Sequence, residues 1–385
     1  MPKCVYEALV IGAGICGLST LYHLQRLGCR SMALVEQFQP GHTRGSSHGT
    51  SRITRSSYDK DVYVELMQVA HHLEWPRLEQ DTGQQLLFPT PGVLFGPNDG
   101  PIRDYAEAVQ RVGIPIDVVS PREARIRTPM FRYQPEDLIL FDPTCAVIAA
   151  ADVLRALQAK AASADCFFNT RVQRIDVTKD PIEVHTDTGV ITTERLVVAA
   201  GPWVDHLVPS LTSSVSVIQQ TVGYFEMDGV STSYEPGVFP VWIYLEKDQN
   251  EHFYGLPQFQ RPGIKVARHI TTGLSENPDY PAQTDSLRVA DLEDFISRKF
   301  HPAAQRLVAT EHCYYTNTAT TDYILDWHPD NQQVVIGAGF SGHGFKLGPV
   351  SGRILAELVM QGKTSLPEFE AQRSLFQIPS LDSCG

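Results

Sequence analysis

Ala8-Leu9-Val10-Ile11-Gly12-Ala13-Gly14-Ile15-Cys16-Gly17 is an apolar strand running into a G-x-G-x-x-G turn that opens a helix. The helix turns Leu18, Leu21, Leu24 and Leu27 inward, and a second strand, Met32-Ala33-Leu34-Val35, ends on Glu36. Two glycines let the backbone turn sharply and approach a pyrophosphate at the helix N-terminus; the third lets helix pack on strand. Glu36 lies 19 residues after Gly17, where a carboxylate accepts ribose hydroxyls and repels an extra 2′-phosphate. Gly12, Gly14, Gly17 and Glu36 therefore predict a bound dinucleotide, with FAD and NAD both open at this point.

Outward from this unit, residues 37–58 (QFQPGHTRGSSHGTSRITRSSY) form a long aperiodic loop, the kind that carries function, and a helix is expected over 61–82. Residues 166–201 alternate like sheet and close on the apolar run Leu196 to Ala200 and Gly201. Strand-like aromatic runs (Phe239 to Leu245, His252 to Leu256) and a helical piece at 289–299 lie within 222–316. Val334-Val335-Ile336, GAGFSGHGFKLG and Pro349 to Met360 repeat the order strand, glycine loop, helix. Nucleotide-type elements at both ends imply one domain built from separate segments, with another inserted.

The 385 residues suffice for two or three structural units at about 150 residues each. With 42% apolar and 20% charged residues the chain reads as globular. Its net charge of −12 disfavours nucleic acid and anionic lipid as partners. The longest apolar runs fall far short of the ~18 residues of a membrane span, so neither anchor nor signal peptide is expected. Seven cysteines (Cys4, Cys16, Cys29, Cys145, Cys166, Cys313, Cys384) are scattered without a CxxC pair, as in a reduced intracellular protein, and no metal ligand set is assigned.

The segment Thr170-Arg171-Val172 through Val198-Ala199-Ala200-Gly201-Pro202-Trp203 resembles the second signature of the flavoproteins that include glutathione reductase and D-amino-acid oxidase. That resemblance favours FAD and adds Val172, Gly201 and Trp203 to its expected contacts. Gly45-Ser46-Ser47-His48-Gly49 with Ser51-Arg52-Ile53-Thr54-Arg55, and Ala338-Gly339-Phe340-Ser341-Gly342-His343-Gly344-Phe345-Lys346, are similar to two loops of the monomeric sarcosine oxidase and L-pipecolate oxidase family. The similarity runs over nearly the whole chain and is loosest between about 60 and 165.

It implies an α/β fold: a Rossmann-like FAD domain (1–90, 146–220, 317–385) with an inserted antiparallel-sheet substrate domain (91–145, 221–316). By the same resemblance Ser46, Ser47, His48, Arg52, Gly342, Gly344, Phe345 and Lys346 meet FAD, and Cys313 carries it through a thioether. His48, Arg52 or Arg55 would lower the thiol pKa. Arg55 and Lys346 would clamp a substrate carboxylate, and Tyr254, His269, Tyr315 and Ile243 would line the substrate cavity. Strand alternation puts Lys265, Ala267 and His269 on one face, and the resemblance gives Lys265 the reaction with oxygen. Lys265, His269, Arg52 and Tyr254 are the catalytic candidates. The helix from Phe345 to Gln361 would aim its N-terminus at the flavin pyrimidine, with Pro349 tolerable only near the start.

The expected reaction oxidises a small secondary amino acid, such as sarcosine, to an imine that water hydrolyses, with O2 reduced to H2O2. L-Pipecolate or L-proline as substrate, or an FAD dehydrogenase with another acceptor, are the alternatives. Arg268 and the polar stretch Tyr244 to Phe253 depart from the family pattern on what is expected to be the substrate side. A monomer in the cytoplasm is expected; the resemblance leaves the peroxisome open, although the C-terminal Ser-Cys-Gly is not the S-K-L address.

Overall fold

The computed structural model describes residues 5–379 except 229, 230, 281 and 302–304. Cys4, Cys384 and the C-terminal tripeptide lie outside the described residues.

Ala8–Ile11 forms a strand because four consecutive apolar side chains are buried on both faces, as in a parallel sheet covered by helices. It lies within a six-stranded sheet of order Asp165–Phe167, Met32–Val35, Ala8–Ile11, Leu196–Val198, Asn331–Ala338 and Ile324–His328. The first five run parallel and the last is antiparallel. In register, Leu196 pairs with both Leu9 and Val334, so the two chain ends meet in one sheet. The helices Ile15–Arg26 and Gly348–Gln361 approach closely: a Cβ on Gly352 would stand 2.5 Å from the backbone of Ser19.

The second large sheet has eight strands in the order Gln305–Asn317, Ser216–Met227, Ile264–Arg268, Phe253–Leu256, Val241–Tyr244, Gly92–Pro97, Asp137–Phe141 and Asp117–Val119. Neighbours are antiparallel except Val241–Tyr244 beside Gly92–Pro97. The boundary expected at 220 falls inside Ser216–Met227, which belongs whole to this sheet. One face packs on the helix Ser286–Lys299, where Phe295 stacks on Phe253 at 4.1 Å and Trp242 at 5.5 Å. Alternation sends Ile243, Tyr254, Lys265, Cys313 and Tyr315 to the other face. That face looks across a cleft at the six-stranded sheet.

The expected helix over 61–82 is interrupted. It runs Asp61–Val69 and Trp75–Thr82 with one π-helical turn, Ala70–Glu74, between them. The C-terminal helix begins with a short 3-10 turn, Phe345–Leu347, and Pro349 sits in the first turn of Gly348–Gln361, where its missing N–H costs nothing. Among the described residues no helix is long and apolar enough to cross a membrane.

Candidate active site

The cleft between the two large sheets has a volume of about 1000 Å³ and is lined along its length by the loops singled out above. At one end stands the glycine turn. Gly12 has φ +101, and a Cβ there would stand 2.3 Å from the carbonyl oxygen of Ala199. Gly14 lines the cleft, and the Ile15 N–H donates to Ser47 Oγ at 3.1 Å. Gly17 does not line the cleft; a Cβ on it would stand 1.9 Å from Gly12 O, so its place is in the packing of helix on strand and not in contact with a ligand. The buried Glu36 carboxylate accepts from Ala13 N at 2.8 Å and Phe38 N at 3.0 Å, which fixes a negative charge beside the turn. Val172, Gly201 (φ +53) and Trp203 line the cleft as well. Trp203 Nε1 donates to Asp279 at 2.8 Å, which sets its ring against Phe38.

In the middle, the loop 45–49 wraps the Arg52 guanidinium, which donates to the carbonyls of Ser51 at 2.8 Å, Ser46 at 2.9 Å and His48 at 2.6 Å and lies over the Phe345 ring. Ser46 Oγ donates to Tyr314 O, tying this loop to the strand that carries Cys313. Lys265, only 3% exposed, donates to Ser51 O at 3.0 Å. Burial, then Arg52, pulls its pKa down to about 7.

The thiol of Cys313 departs from expectation. Burial raises its pKa, outweighing the two cations that lower it, Arg52 and Lys265. Of the three basic neighbours expected, only Arg52 acts: burial and Arg52 hold His48 near 4, hence neutral, and Arg55 lies at the far end. Beside Cys313, Glu311 accepts from Tyr224 Oη at 2.7 Å and pairs with Arg261, and its charge opposes that of Lys265.

At that far end Arg55 and Lys346 converge from opposite ends of the chain. Arg55 is 6% exposed and stacks over Tyr58 at 4.3 Å and Tyr105 at 5.3 Å. Its Nε and Nη1 are buried with no hydrogen-bond partner among the described residues. Lys346, 7% exposed, donates to Tyr58 Oη at 3.2 Å and His343 O at 3.4 Å. Burial and Arg55 push its pKa well below the ordinary lysine value. Buried cations with free donors cost several kcal/mol unless an anion arrives, so this pair is shaped for one.

Nearby, Tyr315 Oη lies 3.3 Å from Tyr254 Oη and 3.5 Å from His269 Nδ1. Burial drives His269 down to about 3 and Tyr254 up to about 12, so both are neutral. Ile243 pairs with Tyr254 in register and lines the same space. Gly342, at φ +79, admits the Tyr315 ring, which a Cβ would meet at 2.3 Å; Gly344 likewise leaves room for Phe340.

Arg268 is a correction: alternation turns it away from His269, toward Asp291 at 2.6 Å and Glu251 at 2.8 Å on the helix side, whereas Gln249 and His252 of the polar stretch do line the cleft. Sequence reasoning missed Glu311, Tyr58 and Tyr105. Alternation from Cys313 gives Glu311, whereas nothing local marks Tyr105.

The model of the family described as FAD dependent oxidoreductase matches residues 7–358. The chain belongs to that family. It is 32% identical to a monomeric sarcosine oxidase of Bacillus sp. (strain B-0618) over 376 residues, covering 93% of each chain. To the peroxisomal sarcosine oxidase of Homo sapiens it is 35% identical over 367 residues, again 93% of each. Among solved structures, NikD, described as an unusual amino acid oxidase, superposes with a TM-score of 0.81 at 20% identity over 97% of both chains, which shows the shared fold. The residues fit FAD. The glycine turn leaves no room for side chains where a dinucleotide backbone must pass, Glu36 presents a fixed carboxylate, and the cleft runs unbroken to the cation pair.

Proposed function

We propose that this protein is an oxidase of small secondary amino acids, sarcosine or another N-methyl amino acid, working as a monomer with FAD joined to Cys313. The observation that carries the reading is the buried Arg55–Lys346 pair with two unpartnered Arg55 nitrogens, in the same cleft as the dinucleotide turn. Two sarcosine oxidases among the relatives support the substrate class, and the name of the bacterial one supports the monomer. In this reading segments 1–90, 146–215 and 318–385 form most of the cofactor's site and supply Arg55 and Lys346 to the substrate, while the eight-stranded sheet supplies Cys313 to the cofactor and Ile243, Tyr254 and Tyr315 to the substrate.

Arg55 offers a fork to the substrate carboxylate and Lys346 a point charge, which fixes the amine end among Tyr254, Tyr315 and His269. The two cations and the neutral His269 favour the free-base amine, because a positive field disfavours a second positive charge. Bound in this cleft, FAD would supply the two-electron acceptor between the substrate C–H and O2, with H2O2 as the reduced product. Lys265 stabilises negative charge developing on oxygen from a fixed position that needs no reorganisation. Water completes the sequence by hydrolysing the imine.

Attachment would exchange the Cys313 S–H and one ring-methyl C–H for a C–S bond, with the two electrons and two protons passing to O2 as H2O2. Acid precipitation should keep the yellow colour with the protein and lose it in Cys313→Ala. The reading is tested by peroxide release from purified protein with sarcosine, other N-methyl amino acids, L-pipecolate, L-proline and matched primary amino acids. Peroxide from the N-methyl acids is expected. Dye reduction under argon without peroxide in air would replace the oxidase with a dehydrogenase.

A further inference from the structure

The π-helical turn Ala70–Glu74 lies outside every motif discussed above, yet one short element reaches both halves of the cation pair. On the Arg55 side, His71 Nε2 is 2.6 Å from Thr54 Oγ1 and His71 Nδ1 is 3.2 Å from Ser56 Oγ. The ring thus holds the residue before Arg55 and the residue after it. Burial leaves His71 neutral, so one ring nitrogen donates while the other accepts. On the Lys346 side, Trp75, the residue after the turn and fully buried, donates from Nε1 to Lys346 O at 2.9 Å. The buried Glu74 between them pairs with Arg353 at 2.9 Å, on the helix that follows Lys346.

Two cations that repel each other need such a restraint. Buried side by side without an anion, Arg55 and Lys346 gain by moving apart, and a clamp that spreads loses the geometry that a carboxylate requires. A π turn re-aims the side chains it carries, and such turns are frequent at functional sites. We propose that His71 and Trp75 are positioning residues that hold Arg55 and Lys346 in register for a substrate carboxylate, through Thr54 and Ser56 on one side and the Lys346 carbonyl on the other. The inference rests on the clamp reading given under Proposed function.

The test uses the FAD-loaded protein and methylthioacetate, an acid whose thioether replaces the oxidisable amine, beside its uncharged amide; binding is read from the flavin spectrum. Trp75→Phe removes the N–H and keeps a ring. His71→Leu removes both hydrogen bonds, and His71→Gln restores one donor and one acceptor. In Trp75→Phe and in His71→Leu the dissociation constant of the acid should rise roughly tenfold, the worth of a buried hydrogen bond, with that of the amide unmoved. His71→Gln should recover part of the loss. General loosening of the fold would weaken acid and amide alike, and that result, or unchanged acid binding in both variants, would overturn the proposal. Equal affinity of the unmodified protein for acid and amide would instead overturn the clamp and this inference with it.

Discussion

At the dinucleotide end of the cleft the wall is mostly backbone, namely the turn at Gly12 to Gly14, the Ile15 amide and the carbonyl of Ala199, with the Glu36 carboxylate fixed beside it by two amides. From the middle of the cleft to its other end the wall is side chain: Arg52, Arg55, Lys265 and Lys346 come from three separate stretches, each buried or half-buried, with neutral histidines between them. A backbone cradle is encoded locally, since consecutive residues make it, and it tolerates no Cβ. A side-chain cluster is encoded by the whole topology and stores electrostatic cost that substrate and oxygen chemistry relieve. The two ends should therefore fail differently when altered.

The largest expected effect is at the side-chain end. Lys265→Met should slow reoxidation of the reduced holoenzyme by O2 by roughly a thousandfold, since about 4 kcal/mol of charge stabilisation corresponds to that factor. Stopped-flow traces that stay fast would remove the lysine from oxygen chemistry and leave it as a strut on Ser51 O.

Next comes the clamp. Arg55→Ala or Lys346→Met should weaken a carboxylate inhibitor by about 2–5 kcal/mol, the cost of truncating one partner of a desolvated charge pair. The uncharged amide should be indifferent. The double variant should lose less than the sum, because both cations act on one carboxylate. Titration by flavin absorbance reads all three, and strictly additive losses would mean two independent sites.

The backbone end should respond in affinity and stability instead. Gly12→Ala puts a side chain at φ +101 and within 2.3 Å of Ala199 O, strain of about 1–3 kcal/mol before the clash is relieved. The purified protein should carry less FAD and melt at lower temperature, with the FAD-loaded fraction turning over normally. Normal loading with impaired turnover would reverse the contrast drawn between the two ends.

The same contrast explains what could be read beforehand. The strand, the glycine turn and Glu36 follow from adjacent residues, and the two loops at 45–55 and 338–346 carry enough glycine and charge to be matched as motifs. Tyr58, Tyr105, Glu311 and His71 carry no motif signal of their own; tertiary packing gives them their neighbours. Arg268 is legible by alternation from His269, which sends the two side chains to opposite faces. The raised pKa of the Cys313 thiol could not be read at all, because proximity to cations is visible in motifs and burial is not.

The smallest expected effect concerns Glu311, which no motif marks. Lys265 has a pKa near 7 instead of the ordinary value of 10.5, lowered by burial and Arg52 and raised in part by Glu311. The reaction with oxygen needs the ammonium, so its rate should fall as pH rises through the folded-state pKa. Glu311→Gln keeps the acceptor for Tyr224 and removes the negative charge, so less holds the proton on Lys265 and the descending limb should move to lower pH. One opposite charge in a partly buried site accounts for up to about one unit, or roughly 1.4 kcal/mol. Above the wild-type midpoint the variant should therefore reoxidise up to roughly tenfold more slowly, and well below both midpoints the two should agree. A rate that drops by one factor at every pH would mean that Glu311 holds the strand in place through Arg261 and Tyr224 and does not set the charge on Lys265.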